Sequence, residues 1–285
     1  MDKEWEKELP ISGIKKIIPV GGGDVNKAYR LETDNKSYFL LVQPNHPANF
    51  YGAEIEGLNS FFKAKVEAPR VIGNGQINGD AYLLLNFLEE GSGKQSDLGR
   101  LMAKLHHNYS SNGKFGFQYP YEGGDISFDN SWTISWSYLF VNRRLDVLRK
   151  EILKKGLWGT SEDNNYRRVR QIILDSLSKH KSRPSLLHGD MWGGNHLFLK
   201  DGRPALIDPS AFYGDREFDI GVSLVFGAYN SDFYKAYQEA YPFDKGYQKR
   251  LPFYSLYLLM VHLHKFGSMY AAGVSSTMNE IIRNR

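Results

Sequence analysis

The 285-residue chain contains no cysteine. That single absence excludes disulfides, thiolate metal sites and a cysteine nucleophile, and it fits a reducing compartment, so a cytoplasmic location is expected. Long apolar runs are missing too. The greasiest stretch, "SLYLLMV" from Ser255 to Val261, is far too short for a bilayer, and the opening "MDKEWEKELP" carries no apolar signal core, so no membrane association is expected. Excess charge of either sign is also lacking. A net charge of +4 mildly favours anionic small ligands such as phosphate esters but falls short of a nucleic-acid footprint, so no nucleic-acid partner is expected. The densest basic stretches, Arg143, Arg144, Arg149, Lys150, Lys154 and Lys155, then Arg167, Arg168 and Arg170, follow amphipathic helical patterns and read best as solvated helix faces. No internal repeat or low-complexity tract is present.

What remains is a globular composition, 41% hydrophobic and 14% aromatic, in a chain long enough for two lobes. From Ile14 to about Phe87 the text reads as strands and turns with one helix inserted. "IKKIIPV" and "AYRLET" flank a turn at Gly21, Gly22 and Gly23, while "SYFLLV" (37–42) and "AYLLLNFL" (81–88) read as buried strands. Ile55, Leu58 and Phe62 at helical spacing predict a helix over 53–65. "EEGSGKQS" then breaks the pattern as a hinge would. Helical patterns follow: "SDLGRLMAKLHHNY", Trp132 to about Lys155, and Asn164 to Lys179. Then "SLLHGDMWGGNHLFLKDGRPALIDPS" predicts a β-hairpin turning at Lys200 to Arg203, and helices resume beyond Asp215. The expected organisation is an α+β, bilobal chain with a small β-rich lobe over 1–88, a larger mostly helical lobe over 89–285, and a hinge at about 86–93.

One stretch carries chemistry. Phosphoryl transfer asks a protein to hold metal against phosphates, to orient and deprotonate the acceptor, and to present backbone donors to the phosphate tail. In "LLHGDMWGGN" (186–195), Asp190 can take a proton from an acceptor hydroxyl, and Asn195 offers an amide oxygen to a divalent ion. Asp208 in "LIDPS" supplies a harder carboxylate ligand across the hairpin. The glycines allow a loop tight enough to point Asp190 and Asn195 the same way. A buried turn that uses Asp and Asn for local hydrogen bonds is the competing reading.

The chain resembles, over nearly its full length, the fructosamine kinase (ketosamine 3-kinase) family, within the protein-kinase-like small-molecule kinases that include aminoglycoside and choline kinases. "HGD", "N" and the later "D" mark the wider group. "SLLHGDMWGGN", "IDPSAFYGDREFDIG", "LGRLMAKLHH" with "FGF", and "YSLYLLMVHLHKFG" mark the narrower family. The resemblance implies a protein-kinase-like fold, ATP and Mg²⁺, and phosphorylation of a ketosamine 3-hydroxyl, whose unstable product sheds its amine in deglycation. Carried over by position, Asp190 matches the catalytic base, and Asn195 and Asp208 match the metal ligands. Trp192 matches an aromatic that stacks on the sugar, a core aromatic being its other reading, and His262 matches a histidine near the acceptor. Gly22, Gly23 and Asn26 resemble the nucleotide-covering turn, and Asn86, Phe87 and Leu88 the lobe connection that meets adenine. His188 reads as an orienting residue. Asp215 and Asp219 read as supports of the catalytic loop or helix caps, with Arg216 paired to one of them.

One family feature is missing. The strand lysine expected to bind phosphates and pair with Glu54 falls at Leu41. Lys27 and Arg30 are the candidate replacements. Two further readings share these residues: a kinase for another amino sugar or amino alcohol, and a weakly active or inactive nucleotide-binding relative. Oligomeric state is not legible.

Overall fold

The computed structural model describes residues 3–21 and 27–284; the turn with Gly22, Gly23 and Asn26 lies outside them. The chain divides into two compact units, Met1–Gly93 with Leu197–Asp208, and Lys94–His196 with Pro209–Arg285. Its elements run α1 (Lys3–Glu8), β1 (Lys16–Val20), β2 (Lys27–Glu32), β3 (Ser37–Gln43), α2 (Gly52–Lys63), β4 (Val71–Ile77), β5 (Asp80–Asn86) and α3 (Gln95–His106). Then come β6 (Tyr121–Gly123), β7 (Ile126–Phe128), a π-helix at Tyr138–Leu145 that runs into α4 (Asp146–Lys154), and α5 (Thr160–Leu177). The chain ends with β8 (Ser185–Leu187), β9 (His196–Phe198), β10 (Pro204–Leu206), β11 (Phe212–Gly214), α6 (Glu217–Ser223), α7 (Ser231–Ala240), α8 (Tyr247–Phe266) and α9 (Ala271–Arg283).

In the first unit the strands form an antiparallel sheet in the order β1-β2-β3-β5-β4. The central strands β3 and β5 read as continuous apolar runs. On one face Leu31, Leu40, Val42, Tyr82 and Leu84 pack with Trp5 and Leu9, which lie four residues apart on or just past α1. Neither α1 nor β4 is evident in the sequence. Only two apolar residues mark α1, and β4, "VIGNGQI", carries two glycines that read as a turn. Gly73 is needed where it stands, because a Cβ there would lie 2.6 Å from Pro10 Cγ. The predicted hairpin at 200–203 is present: the Leu199 amide donates to the Arg203 carbonyl at 2.8 Å. Expected in the lobe over 89–285, this hairpin instead groups with the first unit. The Gly91 amide donates to the Phe198 carbonyl at 2.7 Å, the Leu206 amide donates to the Glu67 carbonyl at 2.9 Å, and Arg203 pairs with Glu67 at 2.6 Å.

In the second unit the helix expected from Trp132 begins only at Trp136, and α5 begins at Thr160 rather than Asn164. The Glu162 carboxylate accepts the Gly159 amide at 3.0 Å and fixes that earlier start. The core is aromatic: Trp136, Phe140, Phe212, Phe218 and Tyr254 are mutually packed, and Trp136 Nε1 donates to the Tyr254 hydroxyl at 3.1 Å. Helix α8 is buried around most of its girth, which is why its sequence shows little amphipathic contrast. Helix α3 approaches α7 through Gly99, where a Cβ would run into the Phe233 carbonyl. Gly99→Ala is therefore expected to destabilise the protein by about 1–3 kcal/mol through overpacking. An unchanged urea midpoint would show that the two helices can separate without cost.

Candidate active site

The second unit brings two of the predicted polar groups together. Asn195 Nδ2 donates to the Asp190 carboxylate at 3.0 Å and to the Asp190 carbonyl at 2.8 Å, which leaves the Asn195 amide oxygen outside both bonds. Gly189 makes the loop possible: its φ is +86°, and a Cβ there would run into the Ser210 carbonyl. His188 is fully buried and its Nδ1 accepts the Asp190 amide at 3.3 Å, so it orients the loop. Asp219, also fully buried, accepts the His188 amide at 2.7 Å and the Gly189 amide at 2.9 Å. Asp215 accepts the Ser182 hydroxyl at 2.5 Å and the Glu217 amide at 2.9 Å and meets His180 Nε2 at 2.8 Å. Arg216 does not pair with either aspartate. Its guanidinium donates to the Tyr241 and Pro242 carbonyls, 2.8 Å and 2.5 Å away.

Trp192 is 46% exposed, so it is not a core aromatic, and its carbonyl accepts the Tyr229 hydroxyl at 2.7 Å. A side chain at Gly194 would collide with the Trp192 ring. His262 is half-buried with Nδ1 at 3.0 Å from the Leu258 carbonyl, and burial pushes its pKa down while the Asp190 charge opposes that shift. Its ring lies 4.8 Å from Phe226, 5.1 Å from Tyr270 and 5.4 Å from Phe266. This aromatic wall is absent from the sequence-derived site. Its only signal there is the density of aromatics in "VFGAYN" and "KFGSMY". His264 turns elsewhere, 3.6 Å from Asp125.

In the first unit, strand register decides which residues share a face. Val20, Ala28, Leu41 and Leu83 stand opposite one another across β1, β2, β3 and β5, an apolar row with Leu41 in its middle. Lys27 pairs with Val42 and so lies on the other face. Arg30 shares the face of Leu41 but is held: its guanidinium meets Glu32 at 3.2 Å and Glu89 at 3.4 Å, and it sits 4.4 Å over the Phe87 ring. The missing lysine therefore has no direct replacement from either residue. At the lobe connection the Asn86 amide donates to the Arg70 carbonyl at 3.0 Å and the Phe87 amide to the Ser37 carbonyl at 3.2 Å. Both amides are spent on the fold, and Leu88 follows them.

Asp208 ends the first unit with φ of +52°, a left-handed conformation that aspartate tolerates better than most residues. Its negative charge falls on Glu54. Burial first, and then Asp208, push the Glu54 carboxyl up to about 8. Among the described residues no cation pairs with Glu54. Asp208 offers carboxylate oxygen and Asn195 an amide oxygen, each a donor type that a hard divalent cation takes.

The fructosamine kinase family model matches residues 3–284. A "Probable ketoamine kinase" of Staphylococcus aureus is 56% identical over 285 residues, covering 100% of this chain and 99% of that protein. The chloroplastic protein-ribulosamine 3-kinase of Arabidopsis thaliana is 31% identical, covering 99% of this chain and 87% of that one. Among solved structures, a protein of Haemophilus somnus assigned as a fructosamine-3-kinase superposes with a TM-score of 0.82 at 27% identity, covering 94% and 92% of the two chains. An aminoglycoside phosphotransferase, APH(4)-Ia, in complex with ADP and hygromycin B superposes at 0.68 and 14% identity over 95% and 94%, a likeness of protein-kinase-like fold. No helix among the described residues is long and apolar enough to cross a membrane.

A raised carboxyl pKa has a definite sign in stability. The folded state keeps the Glu54 proton that the unfolded chain loses above its ordinary pKa, so folding stability falls as pH rises from about 4.5 through about 8 and then levels. Thermal melts in metal chelator are expected to show this fall, and Glu54→Gln to flatten it. An equally steep fall in the variant would place the titration elsewhere.

Proposed function

The chain belongs to the fructosamine kinase family, and on that premise we propose that it transfers the γ-phosphoryl group of ATP to the 3-hydroxyl of a ketosamine, in deglycation. The observation that carries this is the Asp190–Asn195 pair, joined at 3.0 Å on a loop whose amides Asp219 holds. The acceptor oxygen attacks the γ-phosphorus while the bridging bond to the β-phosphate breaks. The hydroxyl proton passes to Asp190, and ADP leaves. Asn195 and Asp208 fit Mg²⁺ because both offer hard oxygen, and the ion would neutralise phosphate charge when bound. The glycine turn with Gly22, Gly23 and Asn26 is assigned to the phosphates by resemblance. The Leu88 amide is the preferred adenine donor, since those of Asn86 and Phe87 are already bonded.

The acceptor side favours ketosamines over strongly cationic amino alcohols. Phe226, His262, Phe266 and Tyr270 form an aromatic rather than an acidic wall, and Trp192 adds an exposed aromatic face on the catalytic loop. Aromatic faces complement sugar C–H surface and still attract a single secondary ammonium through cation–π contact.

Incubation with ATP, Mg²⁺ and a panel of ketosamines and amino alcohols should give ADP release that depends on ketosamine. Release with amino alcohols alone would replace this substrate assignment, and silence with nucleotide binding would make the chain a binding relative. Asp190→Asn is expected to lower kcat by about 10²–10⁴-fold, the range for a general base, without shifting the melting temperature. Leu41→Lys is expected to lower the KM for ATP several-fold. An unchanged KM would mean that position 41 does not face the phosphates.

A further inference from the structure

The second unit contains a cavity of about 1220 Å³ whose lining includes none of Asp190, Trp192, Asn195 or His262. It lies among α5 and the residues just after it, the start of α8 and the end of α9. Its lining sets eight lysine and arginine side chains against two carboxylates, Asp175 and Asp244. Some of these cations are already engaged: Arg167 pairs with Asp163 at 3.0 Å and Arg250 with Glu217 at 2.6 Å. The side chains of Arg168, Lys179, Lys181 and Lys245 have no ion pair or hydrogen-bond partner among the described residues.

Arg167, Arg168, Lys179, Lys181, Lys245 and Lys249 are exposed, but separate solvated helix faces do not require that they converge on one concavity. The negative end of the α5 dipole explains Lys179 and Lys181. It leaves Lys245 unexplained, because Lys245 lies just before the start of α8, where the dipole is itself positive and the first turn holds no acid. Like charges gathered at a positive helix end inside a concavity repel one another, and an anion removes that cost. Low-dielectric walls concentrate the field of such a cluster. Ile172 and Phe253 make the lining partly apolar, and the volume exceeds the ~300–1,000 Å³ of ordinary ligand pockets. There is room for a ligand with several charged groups.

We propose that this cavity is a second binding site, separate from the catalytic loop, for a small ligand carrying two or more phosphates. The test is calorimetric titration of inorganic tripolyphosphate into the full chain with its nucleotide site occupied by adenosine, which carries no phosphate and so does not compete for the second site. The measurement needs no turnover. At about 0.15 M salt, where exposed charges are screened beyond ~8 Å, saturable one-site binding is expected. It should weaken about tenfold or more in Lys179→Glu/Lys245→Glu, a loss of ~1.4 kcal/mol. Lys36→Glu/Lys63→Glu, which removes equal charge from the first unit, should leave it unchanged. Absence of binding by the unaltered chain, or equal loss in both double variants, would overturn the site. Equal affinity for orthophosphate would overturn the polyphosphate assignment, and tighter binding of a labelled oligonucleotide that tripolyphosphate cannot displace would overturn the small-ligand reading.

Discussion

The carboxylate of Asp219 is the contact on which the catalytic loop depends. A fully buried ionised group is tolerable only if its oxygens are satisfied. Here they accept the His188 amide, the Gly189 amide and His106 Nε2 at 2.7, 2.9 and 3.0 Å. His106 is pushed below its ordinary pKa, chiefly by burial. A neutral ring that donates from Nε2 to Asp219 can accept the Tyr237 hydroxyl at Nδ1, where the two atoms are 2.7 Å apart. One proton assignment therefore satisfies the whole chain of groups and ties α3, α6 and α7 to a loop only a few residues long. Gly189 can hold its left-handed conformation, and Asp190 can face Asn195, because the two amides before them are fixed.

The same short segment shows how buried charge is divided between support and chemistry. Asp215 and Glu217 lie four and two residues before Asp219, and each has partners. Glu217 takes both nitrogens of Arg250 at 2.6 and 2.7 Å, and Asp215 sits between Ser182 and His180. His180, Asp215 and Glu217 lie close enough for their ligand atoms to share an ion, but Arg250 already supplies the cation. Glu54 differs from all three, since it is buried beside Asp208 with no paired cation among the described residues. The acids beside Asp219 come with cationic or hydroxyl partners, whereas the acid without a paired cation among the described residues lies in the first unit.

Much of this arrangement was legible in the sequence, and the gaps have identifiable causes. β3, β5, α2, α3 and the hairpin at 200–203 follow from apolar periodicity and turn chemistry, signals that are local. The Asp190–Asn195 loop was legible because its residues are contiguous. α1 was hidden because a helix that buries only Trp5 and Leu9 looks charged. β4 was hidden because Gly73 serves contact with Pro10 rather than a turn. The placement of the 197–208 hairpin depends on Gly91 and Glu67, more than a hundred residues away in the chain, and no local pattern encodes it. The aromatic wall around His262 joins segments around Phe226, Phe266 and Tyr270 by packing alone. Lys27 and Arg30 stand one turn of strand alternation apart in role: register puts Lys27 on the wrong face, and Glu32, Glu89 and Phe87 hold Arg30.

Leu41 and Glu54 are best understood as one change. The family pattern expects a lysine at 41 paired with the helix glutamate, a cation and an anion that sum to zero. With leucine in that place the glutamate loses the partner that would keep it ionised, and burial beside Asp208 holds its pKa near 8. Near neutral pH, leucine and a protonated carboxyl also sum to zero. Leucine at 41 with a protonated Glu54 thus adds no net charge beside Asp208. What the leucine supplies is an unbroken apolar row from Val20 to Leu83. Apolar packing along that row weakens less with salt than an exposed ion pair does.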